Sequence, residues 1–286
     1  MSEEPYLSQI KKCVTFIFER ENDRINPLGT GFFIGIGNEQ SGYVIYLVTA
    51  KHVLSTNVGF YPEVYLSLNT HKGHAEAFKF TIPSNLVLEH TDPDVDIVCI
   101  PCTPDRKVYD YKFVTESYLS GKELLKEKKI HEGNEIFYAG LFNHYFGTKI
   151  MEPLVRFGKV SSLTDEKIRI TNPTQQPKFA HLYLFETHSI GGFSGSPVFF
   201  EIDRLSIVNQ IHFGNPEVYL AGVMKGHYDD LIISPVLEVK DNILRELNSG
   251  IAAITPCYLL KEILYSPSEI KAREDAKKVL SQKSPS

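Results

Sequence analysis

Residues 29–37 read GTGFFIGIG, and residues 42–50 read GYVIYLVTA. Each run is rich in β-branched and aromatic residues and begins with a glycine, which is the pattern of a short β-strand. We interpret the glycine pairs of the first run (Gly29 with Gly31, and Gly35 with Gly37) as hairpin turns, because no helix pattern follows them as a dinucleotide-binding fingerprint requires. The two runs therefore predict strands joined by tight turns.

The same pattern of about five strand-forming residues between turn residues recurs along most of the chain. Further runs of this kind are CVTFIF, VYLSL, FKFTI, DIVCI, IFYAG, VRFGKV, KIRIT, HLYLFET, SPVFF, YLAGVM and GIAAIT. Many short strands at fairly regular spacing predict a β-barrel or a β-sandwich. No internal repeat indicates a solenoid or a propeller. The predicted fold class is therefore mainly β.

A strand-poor stretch near residues 103–130 divides the strands into two groups of similar number. This division predicts two small barrels joined by a linker. The predicted segments are an N-terminal β-barrel at 1–110, a linker at 111–130, a C-terminal β-barrel and helix at 131–265, and a charged tail, either a solvated helix or disordered, at 266–286.

Helix patterns are few in this sequence. Residues 117–129 form a short charged helix or linker, and residues 236–247 have apolar residues at helical spacing. Residues 256–264 begin with a proline, which suits the first turn of a helix. We expect this last helix to follow the final strand.

The composition excludes several classes of function. The 286-residue chain is 42% hydrophobic and has a net charge of -5, so it can bury a sizeable core and does not resemble a disordered protein. The net negative charge, together with the lack of a dense run of Lys and Arg in the sequence, argues against a nucleic-acid partner. No run approaches the roughly 20 apolar residues that span a bilayer, so we expect no membrane association.

We expect a cytoplasmic protein, because the first residues lack a basic region followed by an apolar one and four cysteines are too few for a disulfide framework. Cys99 and Cys102 form a CxxC pair without a second pair or a suitably spaced histidine pair. We interpret them as ordinary buried cysteines and predict no metal and no cofactor.

Two segments supply a candidate nucleophile and a candidate base. Residues 191–198 read GGFSGSPV, in which glycines on both sides of Ser194 permit a tight turn and close approach of a substrate. Residues 49–53 read TAKHV and place His52 at the end of an apolar strand.

A third segment supplies the acid. Residues 92–98 read DPDVDIV, and Asp92, Asp94 and Asp96 all compete for this role. We prefer Asp96 because it directly abuts the apolar run, where a buried acid belongs. His52, Asp96 and Ser194 then follow in the order of the chymotrypsin class of catalytic triads.

The chain resembles the trypsin-like serine peptidases over residues 12–265, and especially the HtrA-like and glutamyl endopeptidases of bacteria. GTGFFIG followed by GYVIYLVTAKHV resembles the first barrel of the HtrA-like proteases, and DPDVDIVCI resembles their Asp motif. GGFSGSPVF is similar to the Ser motif of the glutamyl endopeptidases, while GVMKGH and SGIAAITP resemble the last two strands. The resemblance implies two six-stranded antiparallel β-barrels of the chymotrypsin/trypsin fold with a C-terminal helix.

The resemblance also implies a role for each motif residue. Ser194 attacks the scissile carbonyl, His52 is general base and then general acid, and Asp96 orients the imidazole. The backbone N–H groups of Gly192 and Ser194 form the oxyanion hole. The implied function is a serine endopeptidase that cuts protein or peptide substrates through an acyl-enzyme, in a regulatory, stress or defence role.

The sequence departs from the family pattern at three places. Phe193 occupies the position where secreted trypsins carry an acid that pairs with a new N-terminus, so we do not expect activation by N-terminal insertion. About 20 residues follow the last barrel helix, too few for a PDZ domain. Residues 229–249 are an insertion between the last two strands, which we expect to cover the barrel as a surface helix, to gate the cleft or to dock a partner.

The primary specificity pocket is implied by motif position alone. Its residues are Ser189, Met224, Lys225, Gly226 and Gly250. This set contains no acid, so a substrate Lys or Arg would be buried there without a partner. Acidic specificity through Lys225 or His227 and a preference for small or apolar side chains both stay open.

Two other classes of function compete with a protease. One is a catalytically silent binding module that holds a peptide in the cleft, and the other is an esterase with the same triad. An intermediate hypothesis is a latent enzyme whose loop 189–193 is misfolded until an activating protein partner binds. The two glycines of that loop allow a peptide flip at little cost.

Overall fold

The computed structural model of the protein describes residues 4–21, 24–145, 147–170, 176–187, 191–202, 216–231 and 246–282. The strands of the N-terminal half are β1 (Val14–Glu21), β2 (Arg24–Asn38), β3 (Gly42–Thr49), β4 (Ser55–Thr56), β5 (Gly59–Phe60), β6 (Glu63–Asn69), β7 (Ala75–Thr81), β8 (Leu88–Glu89), β9 (Val98–Pro101) and β10 (Val114–Thr115).

The strands of the C-terminal half are β11 (Glu135–Gly140), β12 (Leu154–Ser162), β13 (Lys167–Arg169), β14 (Phe179–His181), β15 (Tyr183–Glu186), β16 (Pro197–Ile202), β17 (Glu217–Leu231) and β18 (Glu246–Pro256). The α-helices are α1 (Tyr6–Lys11), α2 (Lys51–Leu54), α3 (Lys122–Glu127), α4 (Cys257–Leu264) and α5 (Pro267–Gln282), with short 3-10 turns at Ser84–Leu86 and Glu116–Tyr118.

The first half is one eight-stranded sheet in the order β7-β6-β1-β2-β3-β9-β8, with β10 paired in parallel to β2. Strand β6 shows how this sheet faces the core. Its residues Val64, Leu66 and Leu68 are buried and alternate with more exposed residues. This is the two-residue period of a strand with one face in the core. A separate two-stranded hairpin, β4 with β5, follows α2.

The second half is a closed six-stranded barrel in the order β11-β12-β15-β18-β17-β16. Its interior contains Tyr138, Phe185, Phe193, Phe200 and other buried apolar residues. The mainly β fold class, a six-stranded barrel and a helix after the last strand are therefore confirmed.

Strand register brings two predicted site residues together at one end of the first sheet. Thr49 of β3 pairs with Val98 of β9, and the two strands are antiparallel. The end of one antiparallel strand lies beside the start of its partner. His52, just after β3, and Asp96, just before β9, therefore come to the same place.

The same reasoning applies in the barrel. Pro197 of β16 pairs with Val223 of β17 in antiparallel register. Ser194 precedes β16 by a few residues and Lys225 follows Val223, so the candidate nucleophile and Lys225 lie at one end of this pair.

The interpretation of Gly29 and Gly31 as a hairpin turn was wrong, because both lie inside the 15-residue strand β2. Glycine is needed at both positions because other atoms of the fold approach the backbone of β2 closely there. A Cβ on Gly29 would lie 2.9 Å from the backbone oxygen of Ser194, and one on Gly31 would lie 2.8 Å from Leu47. Gly35 and Gly37 also lie inside β2, so the second predicted turn was wrong as well; Gly37, with φ +136°, pairs with Tyr43 just before the β2–β3 turn.

The segment predicted as a linker contacts both halves. Val114 pairs with Ile34 of β2, and the Ser120 hydroxyl donates to the carbonyl oxygen of Leu220 in β17 at 2.6 Å. The predicted helix at 117–129 is present as α3 over part of that range.

The tail predicted as a solvated helix or as disordered forms α5, and one of its basic side chains anchors it. Arg273 is buried, and its guanidinium donates to the Leu264 carbonyl at 2.6 Å and to the Tyr46 hydroxyl at 3.3 Å. This helix therefore packs against α4 and the first sheet.

The insertion at 229–249 lies mostly outside the described residues. Its two ends lengthen the β17–β18 hairpin, in which Leu231 pairs with Glu246. The helix predicted at 236–247 falls on residues that are not described, except for its last two, which belong to β18. Within the described part of the chain, no helix is both long and apolar enough to cross a membrane.

Candidate active site

His52 and Asp96 are joined by two hydrogen bonds. The His52 ring nitrogen Nδ1 lies 2.7 Å from Asp96 Oδ2, and the His52 backbone N–H donates to Asp96 Oδ1 at 3.0 Å. The Asp96 side chain is 8% exposed and that of His52 is 47% exposed. A buried acid that binds Nδ1 fixes the ring and leaves Nε2 for proton transfer.

The competing acids have other partners. Asp92 accepts a hydrogen bond from Lys167 Nζ at 2.9 Å and another from the Asp94 backbone N–H at 3.0 Å. The structure thus brings Asp96, and not Asp92, to the imidazole.

Lys225 is an additional charged residue at this carboxylate. Its Nζ donates to Asp96 Oδ2 at 2.8 Å, the same oxygen that lies beside His52. Burial alone would raise the pKa of Asp96, but the hydrogen bonds and charges of His52 and Lys225 hold that pKa well below its usual range. The acid is therefore ionised at neutral pH.

Ser194 lies on a tight turn between two glycines in left-handed conformations, Gly192 with φ +100° and Gly195 with φ +86°. At Gly195 a Cβ would collide with the Thr30 carbonyl, so only glycine fits. The Ser194 hydroxyl donates to the Lys225 carbonyl at 3.2 Å. No hydrogen bond among the described residues joins this hydroxyl to His52.

Phe193 explains why the position before Ser194 carries no acid. Its side chain is fully buried in the barrel core and meets the Tyr138 ring edge-to-face, with 5.2 Å between centroids. An aromatic pair of this geometry stabilises the loop by packing rather than by an ion pair.

Thr30 is a site residue that the sequence reasoning missed. Its hydroxyl donates to the Gly192 carbonyl at 2.7 Å and accepts from the Leu141 N–H at 2.9 Å, while its own N–H donates to the Ser194 carbonyl at 2.9 Å. The sequence signal for this role is the position of Thr30 between Gly29 and Gly31, because two glycines in a strand can indicate that another part of the backbone approaches closely.

The oxyanion-hole prediction concerns the N–H groups of Gly192 and Ser194. In the part of the chain that the structure describes, neither group donates a hydrogen bond to another residue. Gly192 is held in its unusual conformation beside Leu141 and Asn143, where a Cβ would lie 2.7 Å and 2.5 Å from their oxygens.

The five predicted pocket residues have different surroundings. Ser189 lies outside the described residues. Met224 is fully buried in the barrel core, where its backbone N–H donates to the Ser196 carbonyl, and Lys225 directs its ammonium to Asp96. Gly226 borders open space, and the Gly250 carbonyl accepts from the Thr187 N–H at 2.8 Å.

The four cysteines are free and buried. Burial raises the pKa of Cys13, Cys102 and Cys257 to about 12, and it raises that of Cys99 as well. No group of three metal-ligating side chains occurs among the described residues. The CxxC pair therefore consists of two thiols of low reactivity.

Solved structures of other proteins are similar to this chain at low sequence identity. No protein-family model and no curated protein matches the sequence. The crystal structure of the active form of the Rv3671c protease from M. tuberculosis is similar to this chain, with 15% identity, coverage of 91% of this chain and 82% of the other, and a TM-score of 0.46. A mutant of Rv3671c from M. tuberculosis H37Rv in an inactive form shows 13% identity, coverage of 91% and 89%, and a TM-score of 0.44.

Proposed function

We propose that this chain is a trypsin-like serine endopeptidase that uses His52, Asp96 and Ser194 as its catalytic triad. The observation that carries the proposal is the two-point hydrogen bonding of His52 to a buried, ionised Asp96 beside the glycine turn that presents Ser194. Each of these features is what activation of a serine hydroxyl requires.

The proposed reaction has two halves. The Ser194 hydroxyl turns from the Lys225 carbonyl to His52, gives its proton to Nε2, and its oxygen bonds to the scissile carbonyl carbon. The imidazolium then protonates the leaving amine as the peptide bond breaks, leaving an acyl-enzyme. Water repeats the sequence to release the acid and restore Ser194.

The remaining parts of the site supply stabilisation in this mechanism. The N–H groups of Gly192 and Ser194 bind the oxyanion, and removal of one such donor costs roughly 2.7–4 kcal/mol of barrier in known enzymes. Asp96 stabilises the imidazolium. Preference for a basic substrate side chain is disfavoured, because Met224 is apolar and Lys225, which follows it in the chain, is itself a cation.

A second candidate, a partner-activated or silent binding module, is favoured by one observation. The Ser194 hydroxyl donates to a backbone carbonyl rather than to His52, which is a resting arrangement for a nucleophile. Binding of a substrate or of an activating protein would have to release it.

A peptide-library digestion with the purified chain tests the proposal. We expect cleavage at a defined set of bonds, and none with Ser194→Ala under the same conditions. Cleavage that survives in Ser194→Ala contradicts the proposed nucleophile. Cleavage that requires an added protein supports the partner-activated candidate instead.

A further inference from the structure

Lys225 contacts both ends of the proposed triad, through different atoms. Its carbonyl oxygen accepts the Ser194 hydroxyl at 3.2 Å, and its Nζ lies 2.8 Å from Asp96 Oδ2. Asp96 Oδ2 also lies 2.7 Å from the ring nitrogen of His52. One carboxylate oxygen is therefore shared by two groups that can carry positive charge.

The Lys225–Asp96 pair is largely shielded from water. The Lys225 side chain is 24% exposed and that of Asp96 is 8% exposed. Charges this far from solvent interact more strongly than a surface pair.

Other charged groups that the structure describes on the packed elements have partners of their own. They are Lys51 with Glu89 at 2.7 Å, Lys167 with Asp92 at 2.9 Å, and His90 with Glu262 at 2.9 Å. Asp94 acts on Lys167. Among the described residues, His52 and Lys225 are the charges that act on Asp96.

One consequence follows for the imidazole. With Lys225 beside it, Asp96 stays ionised and in place, so the ring keeps its orientation before a substrate arrives.

We propose that Lys225 is a positioning residue of the catalytic site, whose ammonium holds the Asp96 carboxylate in place for His52. This inference rests on the proposed serine-peptidase function. It assigns to Lys225 a role at the acid, in place of a role in binding an acidic substrate side chain.

The test compares three variants with the wild type. Lys225→Met removes the charge but keeps side-chain length and the backbone carbonyl, and Lys225→Arg keeps the charge. Lys167→Met is the matched control, because it removes a lysine from the neighbouring Asp92 pair without touching Asp96. Thermal unfolding identifies any variant that does not fold, and Lys225→Gln then replaces Lys225→Met.

Two readouts are measured. The first is the low-field proton NMR signal of the His52 Nδ1–H in its hydrogen bond to Asp96, and the second is the rate of Ser194 labelling by a fluorophosphonate. A small displacement of a catalytic group can cost about 10²-fold in rate. In Lys225→Met the low-field signal should therefore shift or disappear, and labelling should slow by roughly 10–100-fold.

Wild-type behaviour in Lys225→Arg and Lys167→Met, together with the change in Lys225→Met, supports the inference. An unchanged low-field NMR signal in Lys225→Met overturns it. Absence of labelling in the wild type contradicts the proposed function instead, and the NMR signal then decides the role of Lys225 alone.

Discussion

The Thr30 hydroxyl donates a 2.7 Å hydrogen bond to the carbonyl oxygen of Gly192. Thr30 lies in β2 of the first sheet, and Gly192 lies in the loop that precedes Ser194 in the barrel. The Thr30 N–H also donates to the Ser194 carbonyl at 2.9 Å. One residue therefore fixes the peptide group before Phe193 and the peptide group after Ser194, and it joins the two halves of the molecule at the site.

Thr30→Val keeps the shape of this side chain and removes its hydroxyl. The Gly192 carbonyl and the Leu141 N–H then lose their partner, and the loop that carries the oxyanion donors is held less firmly. We expect Ser194 labelling to slow by about 10–100-fold and the free energy of unfolding to fall by about 1–3 kcal/mol.

The matched control is Thr15→Val, which removes the 2.9 Å hydrogen bond from the Thr15 hydroxyl to the Ser67 carbonyl in the same sheet. It should lower stability by a similar amount and leave the labelling rate unchanged. Equal labelling rates in Thr30→Val and wild type would show that Thr30 has a structural role alone.

Asp96→Asn tests the assignment of the acid. The amide keeps the shape but lacks the charge that stabilises an imidazolium, and its NH₂ group favours the wrong ring tautomer. We expect kcat/KM for a peptide substrate to fall by about 10⁴-fold, as in the chymotrypsin-type triad. Asp92→Asn, which breaks the ion pair with Lys167 outside the site, should change kcat/KM by less than about threefold. Comparable losses in both variants would contradict the assignment.

The depressed pKa of Asp96 also predicts how stability depends on pH. In the unfolded chain this carboxyl takes up a proton near its ordinary value, about pH 4, whereas in the folded protein it stays ionised to lower pH. The unfolded state then binds more protons, so this contribution to stability is present above about pH 4 and is lost as pH falls toward the folded value. Urea unfolding at pH 7, 4.5 and 3 should show that the free energy of unfolding falls more steeply with decreasing pH in the wild type than in Asp96→Asn. An equal fall in the two proteins would contradict this prediction.

Much of the fold followed from local sequence pattern. The period-two alternation in β6 and the short apolar runs predicted strands, and antiparallel register then explains why His52 and Asp96 meet. The GTG run shows the limit of that approach, since a glycine that makes room for a distant backbone has the same local signature as one in a turn. The Ser194 carbonyl that approaches Gly29 is 165 positions away, and no periodicity reveals it.

The Lys225–Asp96 ion pair was beyond sequence reasoning for a related reason. Lys225 was placed near the substrate by its motif position, which fixes the strand but not the direction of a long flexible side chain. Its direction depends on a buried carboxylate supplied by the other half of the molecule. Ser189, His227 and the insertion lie where the structure describes no side chain, so the specificity pocket stays a prediction.

The cysteines supply a prediction that is independent of the triad. All four are buried, and burial raises the pKa of Cys13, Cys102 and Cys257 to about 12. Thiolate is the reactive form, so a thiol reagent at pH 8 should modify none of them rapidly in the native protein and all four after unfolding in guanidinium. Rapid modification of Cys99 or Cys102 in the native state would indicate a redox role for the CxxC pair.

The most direct test of the proposed triad is intact-mass analysis of the native protein after treatment with a fluorophosphonate. The account predicts one adduct per chain, located on Ser194 by peptide mapping, absent in Ser194→Ala and slowed by at least about 10³-fold in His52→Ala. Ser196→Ala, which removes a neighbouring buried hydroxyl that has no hydrogen-bond partner among the described residues, should label like the wild type. No adduct at any pH from 5 to 9, or an adduct that persists in Ser194→Ala, contradicts the account.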